Sequence, residues 1–124
     1  MSQLISKSDI ERSKREEKFV LLTAEQVRKD FAMFGMDVTF SGNVGLAYEE
    51  LFNQLNVYIS DLLSYNSERL MSLLYQIDLS EKDLSKNDPD YQFETIAEVV
   101  THKILERELK KVLIRTYFKE KGQI

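Results

Sequence analysis

The chain has 124 residues, of which 43% are apolar and 31% charged, with a net charge of −4 and no cysteine. That length is one domain's worth, and the composition is too apolar for wholesale disorder. Disulfides, zinc–thiolate sites and cysteine nucleophiles are excluded. No apolar run reaches the ~20 residues that a membrane-spanning helix needs. The expectation is a cytoplasmic protein with no membrane segment.

The charge is unevenly spread. Residues 1–36 hold seven basic and six acidic side chains, residues 37–98 hold three and twelve, and residues 99–124 hold seven and three. The basic residues of the last segment are interleaved with Glu106, Glu108 and Glu120. This favours packing of the acidic middle against the basic end within one fold over a basic tail for nucleic acid.

Residues 1–18 are polar, with only Leu4, Ile5 and Ile10 able to pack, and read as a flexible tail or a marginal exposed helix. A single helical domain is expected over 19–124. Thr23 and Gln26 form a capping-box pattern, and Val27, Phe31 and Phe34 then recur at helical spacing until Gly35 stops the helix. "MDVTF" (Met36–Phe40) alternates apolar and polar residues, so a short two-stranded ribbon with "FVLL" (Phe19–Leu22) is expected near residues 19–40. From Leu46 a strong helix carries Leu51, Leu55, Tyr58 and Leu62 on one side. Asn66 ends it, and Ser67 caps the next helix, striped by Leu70, Leu73, Leu74 and Ile77. Ser80 and Asp83 bracket a further turn of helix. Asp88 as cap and Pro89 at the first helical position start the last and longest helix.

That last helix has two apolar faces. Phe93, Ile96, Ala97, Val100 and Ile104 share one, which then turns charged with Arg107, Glu108, Lys111 and Arg115. Leu105, Leu109, Val112 and Leu113 lie on another. The first face is expected to fill the chain's own core. The second must pack on another helix of the chain or on another subunit, and self-association through Leu105, Leu109, Val112 and Leu113 is the expectation set for it. The fold class is all-α, or nearly so, of four-helix bundle type with a long C-terminal helix.

Candidate chemistry is sparse. His102 is the sole histidine, with Glu98 and Glu106 four residues to either side. This strip resembles half of a carboxylate–histidine metal site, but ordinary ion pairs on a Glu-rich helix give the same pattern. "DLSKNDPDYQFE" (Asp83–Glu94) has the oxygen spacing of a calcium-binding EF-hand, yet Asp88 stands where that loop needs glycine and Pro89 follows it. No catalytic residue, cofactor or metal ligand is therefore assigned.

"QVRKDFAMFG" (Gln26–Gly35) followed by "GNVGLAYEEL" (Gly42–Leu51) resembles the recognition helix, wing and following helix of the redox-sensing winged-helix repressors of the Rex family. The matching residues are Val27, Arg28, Lys29, Asp30, Phe34, Gly35, Val44, Gly45, Glu49, Glu50 and Leu51. The resemblance implies DNA binding by the helix around residues 24–34, with Arg28 and Lys29 as the nucleic-acid contacts. The leading functional expectation is a non-enzymatic, self-associating protein–protein interaction module, and DNA binding is the alternative.

Overall fold

The computed structural model describes residues 5–13, 16–84 and 94–121. Its helices are α1 (Lys7–Ser13), α2 (Glu17–Ala32), α3 (Ala47–Tyr65), α4 (Ser67–Ile77), α5 (Glu81–Leu84) and α6 (Ile96–Lys121), with a 3₁₀ turn at Val44–Leu46 before α3. No strand occurs among the described residues. The fold is an all-α bundle in which the long C-terminal helix is the central element. It touches each of the other five helices.

The main core joins Ala24, Val27 and Phe31 of α2, Leu51, Leu55 and Ile59 of α3, Leu73, Leu74 and Ile77 of α4, and Val100, Ile104 and Leu105 of α6. A smaller cluster forms where Ile10 of α1 meets Leu109 and Leu113 of α6, with Ile5 and Phe19 packed beside it. Ile10 is 6% exposed. Within the segment read as a tail, the described residues 7–13 thus form a docked helix. One well-placed isoleucine docks a short polar helix that could not hold together alone.

The ribbon expected near residues 19–40 is absent, for two physical reasons. Phe19–Leu22 belongs to α2, because Val20 extends the stripe of Ala24, Val27 and Phe31 one turn towards the N-terminus. Thr23 consequently sits inside that helix and does not cap it. Met36–Phe40 is non-helical, but side chains of α2 and α3 serve its polar backbone where a partner strand would have done so. The Gln54 amide brackets Thr39, accepting from its N–H and donating to its carbonyl, both at 2.8 Å. Tyr58 donates its hydroxyl to the Asp37 carbonyl at 2.6 Å, and Glu50 accepts from Ser41 N–H at 2.9 Å. Gln54→Ala removes these two bonds and a third from the Thr39 hydroxyl at 3.2 Å, and should cost about 1–3 kcal/mol in urea unfolding. Hydrogen exchange of the Thr39 amide should quicken more than that of the core helices.

Other boundaries follow local chemistry. Gly35 ends α2 at φ 72°, where Met36 N–H returns to the Phe31 carbonyl. Asn66, rather than Ser67, caps α4 by accepting from Arg69 N–H at 3.1 Å. Ser80 and Asp83 bond reciprocally around α5, as expected from the sequence. The described start of α6 is a capping box absent from the sequence reading. Thr95 N–H donates to Glu98 at 2.8 Å, and Glu98 N–H donates to the Thr95 hydroxyl at 3.1 Å. The expected cap at Asp88 and Pro89, Phe93 with its expected core position, and most of the EF-hand-like stretch lie outside the described residues. Ile96, expected in the core, is 73% exposed at the first turn of α6.

Candidate functional site

The four residues assigned to a subunit contact are inside the chain. Leu105 is 3% exposed, Leu109 4%, Val112 2% and Leu113 6%. Leu105 belongs to the main core, and Leu109 and Leu113 are covered by Ile10. The second apolar face of α6 is therefore buried within a single copy, the other of the two alternatives its spacing left open. Val112 and Leu113 are covered within the chain, and Leu105 and Leu109 are covered except where they border the cavity described below.

The charged continuation of the first face holds the most unusual chemistry. Glu108 lies one turn beyond Ile104 on the core stripe and is fully buried, and Asp30, on the inner face of α2, is 3% exposed. Lys111 Nζ stands 3.1 Å from Asp30 Oδ2 and 3.1 Å from Glu108 Oε1. Gln26 donates to Asp30 at 3.2 Å, and Arg115 reaches Gln26 at 2.9 Å. Neither Glu108 oxygen receives a well-aligned hydrogen bond.

Burial, reinforced by the neighbouring Asp30 carboxylate, pushes the Glu108 carboxyl up to about 8 against the opposing pull of Lys111. Burial also works to raise Asp30. Hydrogen bonds from Glu108, Lys111 and Gln26, with the Lys111 charge, outweigh it and hold Asp30 below its usual value. Near neutrality the pair thus shares one proton on Glu108, and Lys111 balances Asp30.

Glu108 binds its proton more tightly folded than unfolded. Its contribution is fully present below the unfolded carboxyl value near 4.5 and is lost as pH rises through about 8. Asp30 acts in the opposite sense, losing its contribution as pH falls below 3.8. Stability should accordingly fall by roughly 3–5 kcal/mol between about pH 5 and pH 9. In Glu108→Gln, whose amide can still donate to Asp30, most of that slope should vanish. An unchanged slope in urea melts across this range would contradict the shared proton.

The second polar constellation surrounds His102. Its Nδ1 lies 2.7 Å from the Tyr48 hydroxyl and its Nε2 lies 3.5 Å from Glu94, while its ring packs 4.5 Å from that of Phe52. Glu98 caps α6 and also lies within electrostatic reach of His102; the Thr95 hydrogen bonds first, and the His102 ring after them, hold its carboxyl below its usual value. The cluster ties the start of α3 to α6. Among the described residues no group of three or more His, Asp or Glu is placed to hold a metal.

The residues assigned to nucleic acid are on α2. Arg28 is spent locally, donating to the Val38 carbonyl at 3.2 Å and pairing with Glu25 at 3.2 Å. Lys29 is exposed. The segment aligned with a wing is a 3₁₀ turn running into α3, and α2 begins well before the expected recognition helix. A winged-helix arrangement of helix and strand is not what these residues build.

The third feature was invisible in the sequence. A cavity of about 280 Å³ lies between α1, α2, the 3₁₀ turn, α3 and α6, and opens to solvent. Val20, Val44, Ala47, Leu51, Leu105 and Leu109 form its apolar wall, with Ser13, Thr23, Gly45 and Tyr48 completing the lining. Leu46, next to Gly45, and Tyr48 are 47% and 39% exposed. Among the described residues, no carboxylate, lysine, arginine or histidine lines it. Comparison with protein-family models, with curated proteins and with solved structures finds no match to this chain. Among the described residues, no helix is long and apolar enough to cross a membrane.

Proposed function

We propose that the chain is a non-enzymatic protein–protein interaction module that uses the mouth of this cavity as its contact surface. The observation that supports the reading is an open apolar cavity of about 280 Å³ with the exposed Tyr48 in its lining and the exposed Leu46 between the lining residues Gly45 and Ala47 in sequence. Interfaces draw most of their energy from a few side chains that fill desolvated pockets. An enzyme site instead needs convergent polar groups in its cleft. Here the strongly perturbed carboxyl, Glu108, is fully buried and does not line the cavity.

The reading takes the partner to be a different protein, because Val112 and Leu113 are buried and Leu105 and Leu109 show only the edges that line the cavity. A cytoplasmic setting goes with this reading, because a chain without cysteine needs no oxidising compartment.

Ala47 is 3% exposed and lines the cavity, so Ala47→Leu fills part of it without adding charge. Affinity capture by Ala47→Leu should recover the partner at least tenfold less well than wild type. Tyr75→Ser, altered at an 87% exposed residue outside the cavity, should recover it normally. Equal recovery by all three proteins would contradict the assignment of the surface.

A further inference from the structure

We propose that the end of the bundle where α2 begins and α6 finishes docks on an anionic lipid surface. The proposal does not involve the cavity and goes beyond the protein-interaction reading. Its first support is register. Asp30 meets Lys111, and Gln26, one turn earlier on α2, meets Arg115, one turn later on α6. The two helices therefore run antiparallel, and the same register continued sets Leu22 level with Phe118 and Lys119.

The second support is what stands exposed at that end. Leu21, Leu22, Tyr117 and Phe118 are each between 37% and 44% exposed. Lys18, Arg115 and Lys119 are exposed beside them. Each helix thus carries two consecutive large apolar side chains with a cation within a turn. A lysine or arginine lays its stem along apolar surface while its charge stays at the level of lipid headgroups.

The third support is charge. Residues 14–22 and 115–121 together hold six basic and three acidic side chains, a net +3, whereas the rest of the chain carries −7. An anionic surface attracts this end and repels the remainder, so the charge also sets the orientation. Shape decides between a lipid surface and an acidic protein helix. A docked helix needs apolar anchors repeated along a groove. Beyond Leu22 and Phe118 the α2–α6 seam continues instead with Gln26, Arg115, Asp30 and Lys111. Four apolar side chains spread across one end suit a flat, fluid surface.

Co-sedimentation of the full chain with vesicles tests the proposal. Vesicles of phosphatidylglycerol and phosphatidylcholine in equal parts should bind roughly tenfold more tightly than phosphatidylcholine alone. That preference should vanish as salt rises from about 0.1 M to about 0.5 M. Lys18→Glu with Lys119→Glu should weaken binding to the mixed vesicles about tenfold. Leu22→Ser with Phe118→Ser should weaken it by a similar factor while leaving the salt dependence in place. All four residues are exposed, so both double variants should keep wild-type helicity by circular dichroism. Tyr75→Ser, on α4, should bind as wild type does.

No preference for the anionic vesicles, or binding indifferent to both double variants, would overturn the proposal. So would failure to bind vesicles together with binding of a glutamate-rich peptide that needs Lys18 and Lys119, which would assign this end to an acidic protein. Partner capture that depends on Ala47 should be unchanged in both double variants, so the cavity reading and the lipid proposal fail separately.

Discussion

Leu109→Lys should unfold the chain about as badly as Val100→Lys. Both residues are 4% exposed, Val100 in the main core and Leu109 beneath Ile10 of α1. A lysine at either place puts an unpaired ammonium among apolar side chains, one of the few changes that costs more than about 4 kcal/mol. Urea unfolding followed by helical circular dichroism measures both losses, and light scattering measures the mass of the wild type. If Leu109 sat in a seam between copies, its lysine variant would keep full helicity and simply dissociate. Comparable unfolding of the two variants, with a wild type that is monomeric at high concentration, is the expected result.

The second large effect is at Lys111. Lys111→Met preserves an apolar stem but leaves the Asp30 carboxylate, 3% exposed, without its cation. Breaking one side of a buried ion pair costs roughly 3–5 kcal/mol, more than the intact pair contributes, because the stranded charge stays desolvated. The double variant Asp30→Asn with Lys111→Met should recover much of that loss, since it removes the stranded charge. Gln26 still bonds the residue at position 30 in that protein. A mild effect of Lys111→Met alone would mean that Asp30 is better solvated than its burial indicates.

Much of the bundle was legible in the sequence because helical spacing, Gly35, Asn66 and the Ser80–Asp83 pair each act locally. The stripes of α3 and α4 follow for the same reason: Leu51, Leu55 and Leu62, then Leu70, Leu73, Leu74 and Ile77, are buried, whereas Tyr58 is half-buried and its neighbour Ile59 takes the core position. Periodicity shows which faces of α6 are apolar, but not what covers them. Leu109 and Leu113 are covered by Ile10, a single apolar residue in a polar segment too short to show amphipathicity.

In the sequence Glu108 reads only as part of the charged continuation of the first face, although it continues the stripe of Val100 and Ile104 at a four-residue step. The signal was available in principle. Asp30 interrupts the inner face of α2 in the same way, between Val27 and Phe31, and two carboxyls on core stripes with a lysine one turn away imply a buried pair. The ribbon was lost to long-range chemistry: Gln54, Tyr58 and Glu50 meet residues 37–41 only after α3 has folded back. The cavity was illegible altogether, since it is made by five elements meeting imperfectly.

Site-specific photocrosslinking in the native cells tests the central claim most directly. A benzophenone side chain in place of Leu46, which is exposed and lies in sequence between the cavity-lining Gly45 and Ala47, is compared with one in place of Tyr75, which is 87% exposed on α4. The account predicts an adduct with a different protein from position 46, reduced by adding Ala47→Leu, and none from position 75. An adduct only with a second copy of this chain, or adducts from position 75 and none from position 46, would contradict it.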